Sequence, residues 1–235
     1  MRRRPMNRRQ ALTGIATLAI QAFLPPAGAA AKSRPFTKRV RPTDPAWPSA
    51  ASWAQLNRET GGNLIEVPSL FGMCERQAGD AACTDAIKNA HNPFYIGDQP
   101  GGTQVSGWVD AWVPAPSAYA VAARKPSDIV AAVNFARENR LRLVLKGGGH
   151  SYQGTSNAPD SLLIWTRAMN AMTLHDAFVP KGCEKRQEPQ AAVTVEAGAM
   201  WIDAYNAVTT QAGRYVQDGG CTTVGVAGLV WTTPP

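Results

Sequence analysis

Two short stretches carry reactive side chains on a backbone stripped almost bare. Residues 147–151 read Gly-Gly-Gly-His-Ser, and residues 219–225 read Gly-Gly-Cys-Thr-Thr-Val-Gly, with Gly228 three positions on. Successive glycines admit positive φ and let neighbouring main-chain N–H groups converge on an anion. The imidazole of His150 can bond covalently, coordinate or relay a proton, and the Cys221 thiol becomes a soft nucleophile once ionised. A phosphate cradle, a metal loop and a plain tight turn are all compatible with the first stretch taken alone. A Walker A loop requires a lysine after its glycines, but Lys146 precedes them. The Rossmann fingerprint requires glycine at its sixth place, which Tyr152 occupies, and no helical pattern follows. His91, His150 and His175 are the only histidines and show no metal-ligand spacing.

The elements around these turns are legible from periodicity. Residues 117–125, "SAYAVAARK", alternate as an edge-like strand. "PSDIVAAVNFARENR" predicts a helix with Ser127 as N-cap, Asp128 in the first turn and Ile129, Val133 and Ala136 on the apolar face. The β-prone run "LRLVLK" enters the first glycine turn, and "SLLIWT" and "AAVTVEAG" predict two further strands. "MWIDAYNAVTTQAG" predicts a helix ending at Gly213, and "RYVQDGG" a strand entering the second turn. Strand and helix in this order predict an α/β or α+β domain over residues 117–230. Upstream, residues 32–116 read as linker and loop-rich segment, apart from a helix through Trp53 and Leu56 that stops at Gly61-Gly62.

With both turns in place, the sequence resembles the FAD-linked oxidases of the vanillyl-alcohol oxidase and p-cresol methylhydroxylase superfamily, in the berberine bridge enzyme-like branch. The resemblance rests on "GGGHSYQG" and "GGCTTVGVAGL" at the family's spacing, with "LLIWTRAMNAMTLHD" and "VTVEAGAMWIDAYNAV" between them. It implies an α+β, p-cresol methylhydroxylase-type FAD-binding domain. Gly147, Gly148, Gly149, His150 and Ser151 would cradle the pyrophosphate of FAD, and His150 would bond to the flavin's 8α-methyl carbon. Cys221 would bond to the 6-position of the same ring, and Thr222, Thr223, Val224, Gly225 and Gly228 would add contacts. The resemblance further implies an oxidoreductase taking a hydride from an alcohol carbon, sugars included, and passing the electrons to oxygen. Family members continue into a substrate domain that supplies the general base, whereas this chain closes on "GLVWTTPP". The reading is therefore an incomplete flavin domain followed by a non-family tail at 231–235, with no catalytic base assigned. A non-catalytic flavin-binding remnant and an exported binding module are the competing readings.

Charge and cysteines bound the setting. The formal net charge is +7, but Arg2, Arg3, Arg4, Arg8 and Arg9 lie within residues 1–31, which hold no acidic residue. The body is near neutral and has no basic stripe, so a small-molecule substrate is expected and nucleic acid is not. The arginines precede an apolar run at residues 11–24 and then "PPAGAAA", the layout of a secretory signal over residues 1–31. That run is shorter than the roughly 20 residues of a membrane span, and Arg8-Arg9 suggests the twin-arginine route. An ordinary secretory signal or an uncleaved anchor fits the same residues. In an exported chain, Cys74 and Cys83 are expected to pair. Cys183 offers a disulfide partner as an alternative role for Cys221.

Overall fold

A run of four buried residues, Ser161 to Ile164, lies at the centre of the fold. A computed structural model describes residues 38–76, 79–104, 109–113, 115–217 and 220–227. The signal expected at 1–31, Gly219, Gly228 and the tail at 231–235 lie outside them. Ser161–Trp165 forms β4, flanked on both sides by parallel neighbours, β2 (Tyr119–Ala122) and β3 (Arg142–Lys146). A strand covered on both faces reads as a continuous apolar run, which is why "SLLIW" does not alternate. β1 (Leu64–Glu66) joins β2 antiparallel, so the sheet order is β1-β2-β4-β3. The stretch expected to be an edge strand, β2, is therefore interior.

The segment before residue 117 holds more regular structure than expected. Helix α1 (Ala50–Glu59) starts where the Ser49 hydroxyl accepts from Ser52 N–H at 3.2 Å. It ends where Thr60 Oγ1 donates to the Leu56 carbonyl at 2.9 Å, and Gly61 turns away at φ +69°. Three short helices follow: α2 (Gly72–Arg76), α3 (Ala81–Lys88) and α4 (Pro93–Gly97). The expected disulfide joins Cys74 to Cys83, linking α2 to α3. Their brevity, with Gly79 between the first two and Pro93 opening the third, hides these helices from a periodicity reading.

Helix α5 (Pro126–Glu138) covers the sheet with Ala132 and Ala136 buried. Small residues let the helix approach β2 and β4 closely, so the buried stripe is rotated from the expected one and Val133 is 40% exposed. Its N-cap is Lys125, not Ser127, because Pro126 suits the first helical position. The buried Asp128 carboxylate then accepts from the N–H groups of Arg124 (2.9 Å) and Lys125 (3.3 Å). Trp53 of α1 stacks on Tyr119 of β2 with centroids 4.1 Å apart, and Phe135 of α5 lies 4.8 Å away. Each fully buried Leu or Ile of β4 contributes roughly 1.5–3 kcal/mol to this core.

A second, antiparallel pair is formed by β5 (Met172–Phe178) and β6 (Gln190–Val195). After β6, α6 (Trp201–Ala204) winds on into a π-helical turn at Tyr205–Gln211, and the helix stops at Gly213 with φ +62°. Residues 214–217, expected as a strand, pair with no ladder among the described residues. The architecture is α+β, and among the described residues no helix is long and apolar enough to cross a membrane.

Candidate cofactor-binding site

The first glycine turn leaves the C-terminal end of β3, the end at which parallel sheets gather ligands. β3 alternates, so Val144 and Lys146 share the face that packs against Ala120 and Leu163. Lys146 is 2% exposed, and its Nζ donates to the carbonyls of Gln99 (2.5 Å), Pro100 (3.0 Å) and Gly102 (2.7 Å). It also sits 5.3 Å from the centroid of the Trp165 ring. Burial pushes its pKa down to about 7, against the pull of Asp98. Three carbonyl acceptors use all three ammonium protons, so the bonding pattern favours the charged form. Lys146 thereby ties the 99–102 loop beneath the glycine turn.

Gly149 takes φ +82°, and its carbonyl accepts from Gln104 N–H at 3.0 Å. Among the described residues, the main-chain N–H groups of Gly148, Gly149 and His150 find no protein acceptor. Gly148 and Gly149 are buried and His150 half-buried. Buried donors without partners are costly, so a row of them is a place built for an acceptor. Ser151 turns back on its own loop, where its Oγ lies 2.7 Å from Thr155 Oγ1 and accepts from Thr155 N–H.

The second turn is held by the start of α6. Trp201 N–H donates to Val224 O (3.1 Å), Ile202 N–H to Thr222 O (3.0 Å), and Val226 N–H to Ala199 O (2.9 Å). Gly225 bridges to Met200. This brings the two turns into contact, and His150 Nε2 lies 2.8 Å from Thr223 Oγ1. The Cys221 sulfur is 3.6 Å from the same hydroxyl. Imidazole and thiol, 71 positions apart in the chain, thus meet at one oxygen. Burial lowers the His150 pKa, while a hydrogen bond to Thr223 opposes the shift. Cys183 and Cys221 are both free thiols, so the alternative disulfide between them is absent and Cys221 is exposed.

Two residues escaped the sequence reading. Gln104 Nε2 donates to Gly148 O (3.0 Å) and to Thr223 O (3.3 Å), and its Oε1 accepts from Thr223 Oγ1 (3.2 Å). Lys146 stands next to the motif, where its place before the glycines excludes a Walker loop. A lysine in alternation with Val144, on the face of β3 that the apolar residue marks as inward, was the available signal for Lys146. Gln104, inside a glycine-rich loop, offered none.

The chain is similar to known flavin-binding proteins. The family model described as "FAD binding domain" matches residues 116–233. An FAD-linked oxidoreductase of Claviceps fusiformis is 32% identical over 218 residues, covering 81% of this chain and 36% of that protein. Another from Malbranchea aurantiaca is 30% identical over 81% of this chain and 35% of its own length. This chain therefore spans about a third of the curated relatives it matches. A solved VAO-type flavoprotein of Myceliophthora thermophila C1 superposes with TM-score 0.70 at 25% identity, over 81% of this chain and 37% of that one. A second VAO-type flavoprotein from that organism gives TM-score 0.65 at 23% identity, over 77% and 35%.

Proposed function

The chain belongs to the FAD binding domain family of FAD-linked oxidoreductases, and from that premise we propose that its two glycine turns form one FAD cradle. The supporting observation is the row of unpartnered N–H groups at Gly148, Gly149 and His150, beside an imidazole and a thiol that meet at Thr223. These N–H groups, with Gly147 and Ser151 flanking them, would hold the pyrophosphate. Gly148 permits the close approach, because a Cβ there would lie 2.9 Å from Thr223 O and 3.0 Å from Gly225 N. His150 and Cys221 would link covalently to the ring, while Thr222, Thr223, Val224 and Gly225 would complete the wall. Bound FAD supplies hydride acceptance and passage of electrons to an acceptor. The chain's own contribution is to bind, orient and anchor it.

The parent activity in this reading is oxidation of an alcohol carbon, sugars included, with oxygen as acceptor. Export by the twin-arginine route goes with it, since that route carries folded, cofactor-loaded proteins and the Cys74–Cys83 disulfide suits an oxidising compartment. The test is to express the chain with FAD, precipitate it in acid and measure flavin in the pellet. Yellow protein is expected. His150→Ala and Cys221→Ala should each leave a single link, and the double variant a colourless pellet. A wild-type chain that takes up no FAD at all would refute the cradle. Oxygen uptake with a panel of alcohols and oligosaccharides tests the activity separately.

A further inference from the structure

The hydrogen bonds around Thr223 determine which nitrogen of His150 carries a proton. Gln104 Nε2 faces two carbonyl oxygens, of Gly148 and Thr223, which can only accept. The amide therefore cannot be turned over without setting its own oxygen against both carbonyls. Its Oε1 then faces Thr223 Oγ1, and the hydroxyl must donate its one proton to it. Having spent that proton, Thr223 Oγ1 can only accept at its remaining lone pairs. His150 Nε2, 2.8 Å away, must be the donor. The Cys221 thiol, 3.6 Å away, fits the last lone pair as a second donor. Neutral His150 is thus the Nε2–H tautomer, with an unprotonated lone pair on Nδ1.

We propose that Gln104 and Thr223 are positioning residues that lock His150 in this tautomer and present Nδ1 as the nitrogen that bonds to flavin. The proposal rests on the FAD reading above. In the linkage, the Nδ1 lone pair forms an N–C bond to the 8α-carbon as one C–H bond of that methyl group breaks. The two electrons stay on the ring, the methyl proton and the Nε2 proton are released, and molecular oxygen takes up two electrons and two protons as hydrogen peroxide. The Nε2–H held by Thr223 is the proton that the imidazole gives up once Nδ1 is alkylated. Half-burial of His150 keeps the ring neutral at neutral pH and so keeps the lone pair available.

The tautomer can be read without any flavin. In the full chain labelled with 15N-histidine, ring nitrogen–proton correlation at pH 7.5 (about one unit above an unperturbed imidazole pKa) should show His150 protonated on Nε2 alone, with a slowly exchanging proton. His150→Ala assigns the signal, and His175, whose Nε2 bonds Thr194 on the other sheet, serves as an internal reference for folding. Thr223→Val should lose the protected proton and mix the tautomers, and Thr223→Ser should restore both. Gln104→Leu should act like Thr223→Val and carries the test if the valine variant misfolds. In a Cys221→Ala background, where His150 is the remaining link, acid-stable flavin formed on incubation with FAD under air should appear about tenfold more slowly in Thr223→Val and recover in Thr223→Ser. A wild-type His150 protonated on Nδ1, or variants that keep both pure tautomer and linkage rate, would overturn the relay. FAD bound but released by acid in the wild type would overturn the linkage step, with the tautomer result showing that the relay itself is not at fault. No FAD uptake would instead condemn the cradle.

Discussion

A methyl group added at Gly148 would press on main-chain atoms of the other turn, 2.9 Å from an oxygen and 3.0 Å from a nitrogen. Neither can rotate away, so Gly148→Ala should cost about 1–3 kcal/mol and lower FAD retention. Gly182 makes a clean comparison, since it has φ +86° and nothing within 4 Å of an added Cβ. Gly182→Ala should show only the backbone strain, about 1–2 kcal/mol, with FAD content unchanged. Urea midpoints and bound flavin separate the two effects. Lys146 yields a pH prediction. Its folded pKa of about 7 lies below the unfolded value, so the unfolded chain binds more protons between pH 7 and about 10.4. Stability from this group is therefore full above that window and is lost as pH falls through it towards 7. Urea midpoints should rise over the window in the wild type more than in Lys146→Met. Equal slopes would mean that the three carbonyls offset burial completely. At neutral pH, Lys146→Met should still loosen the 99–102 loop and cost about 2–4 kcal/mol in the unfolding midpoint.

At the scale of elements, α5 depends on a buried carboxylate and an alanine stripe. Asp128→Ala removes the acceptor for two N–H groups and should cost about 1–2 kcal/mol. Ala132→Leu should cost about 1–3 kcal/mol by forcing α5 off β2 and β4, whereas Val133→Leu on the exposed flank should be near neutral. Thermal melts distinguish them. The same helix shows how far sequence can be read. Its existence and length follow from "PSDIVAAVNFARE", but its buried face does not, because alanines carry no strong apolar signal and the close approach of the sheet selects them. β3 and β4 were legible from β-branched and leucine-rich runs. The order β1-β2-β4-β3 was not, since β1 spans only Leu64–Glu66 and gains its place through pairing with β2. At the site, glycine, His150 and Cys221 stand out by residue type. Gln104 does not, because its role comes from a contact 119 positions away.

At the scale of the whole molecule, the thiols report the arrangement of the cysteines. Before FAD is added, the native chain should react with a thiol reagent at Cys221 and Cys183, exposed and half-buried respectively, and four thiols should appear only after reduction. Reducing Cys74–Cys83 should cost about 2–3 kcal/mol, as expected for a short closed loop. Gln104 touches partners 44 and 119 positions away, and His150 one 73 positions away. Three remote parts of the chain must therefore converge before the proton on Thr223 has a fixed direction. Contacts of such span form late, because the entropy of closing the intervening chain precedes any reward. In the proposed linkage, ring capture would then come at the end of maturation: a nascent chain still lacking its 221–225 turn has a histidine of unassigned protonation and nothing to decide which of its nitrogens is to be alkylated.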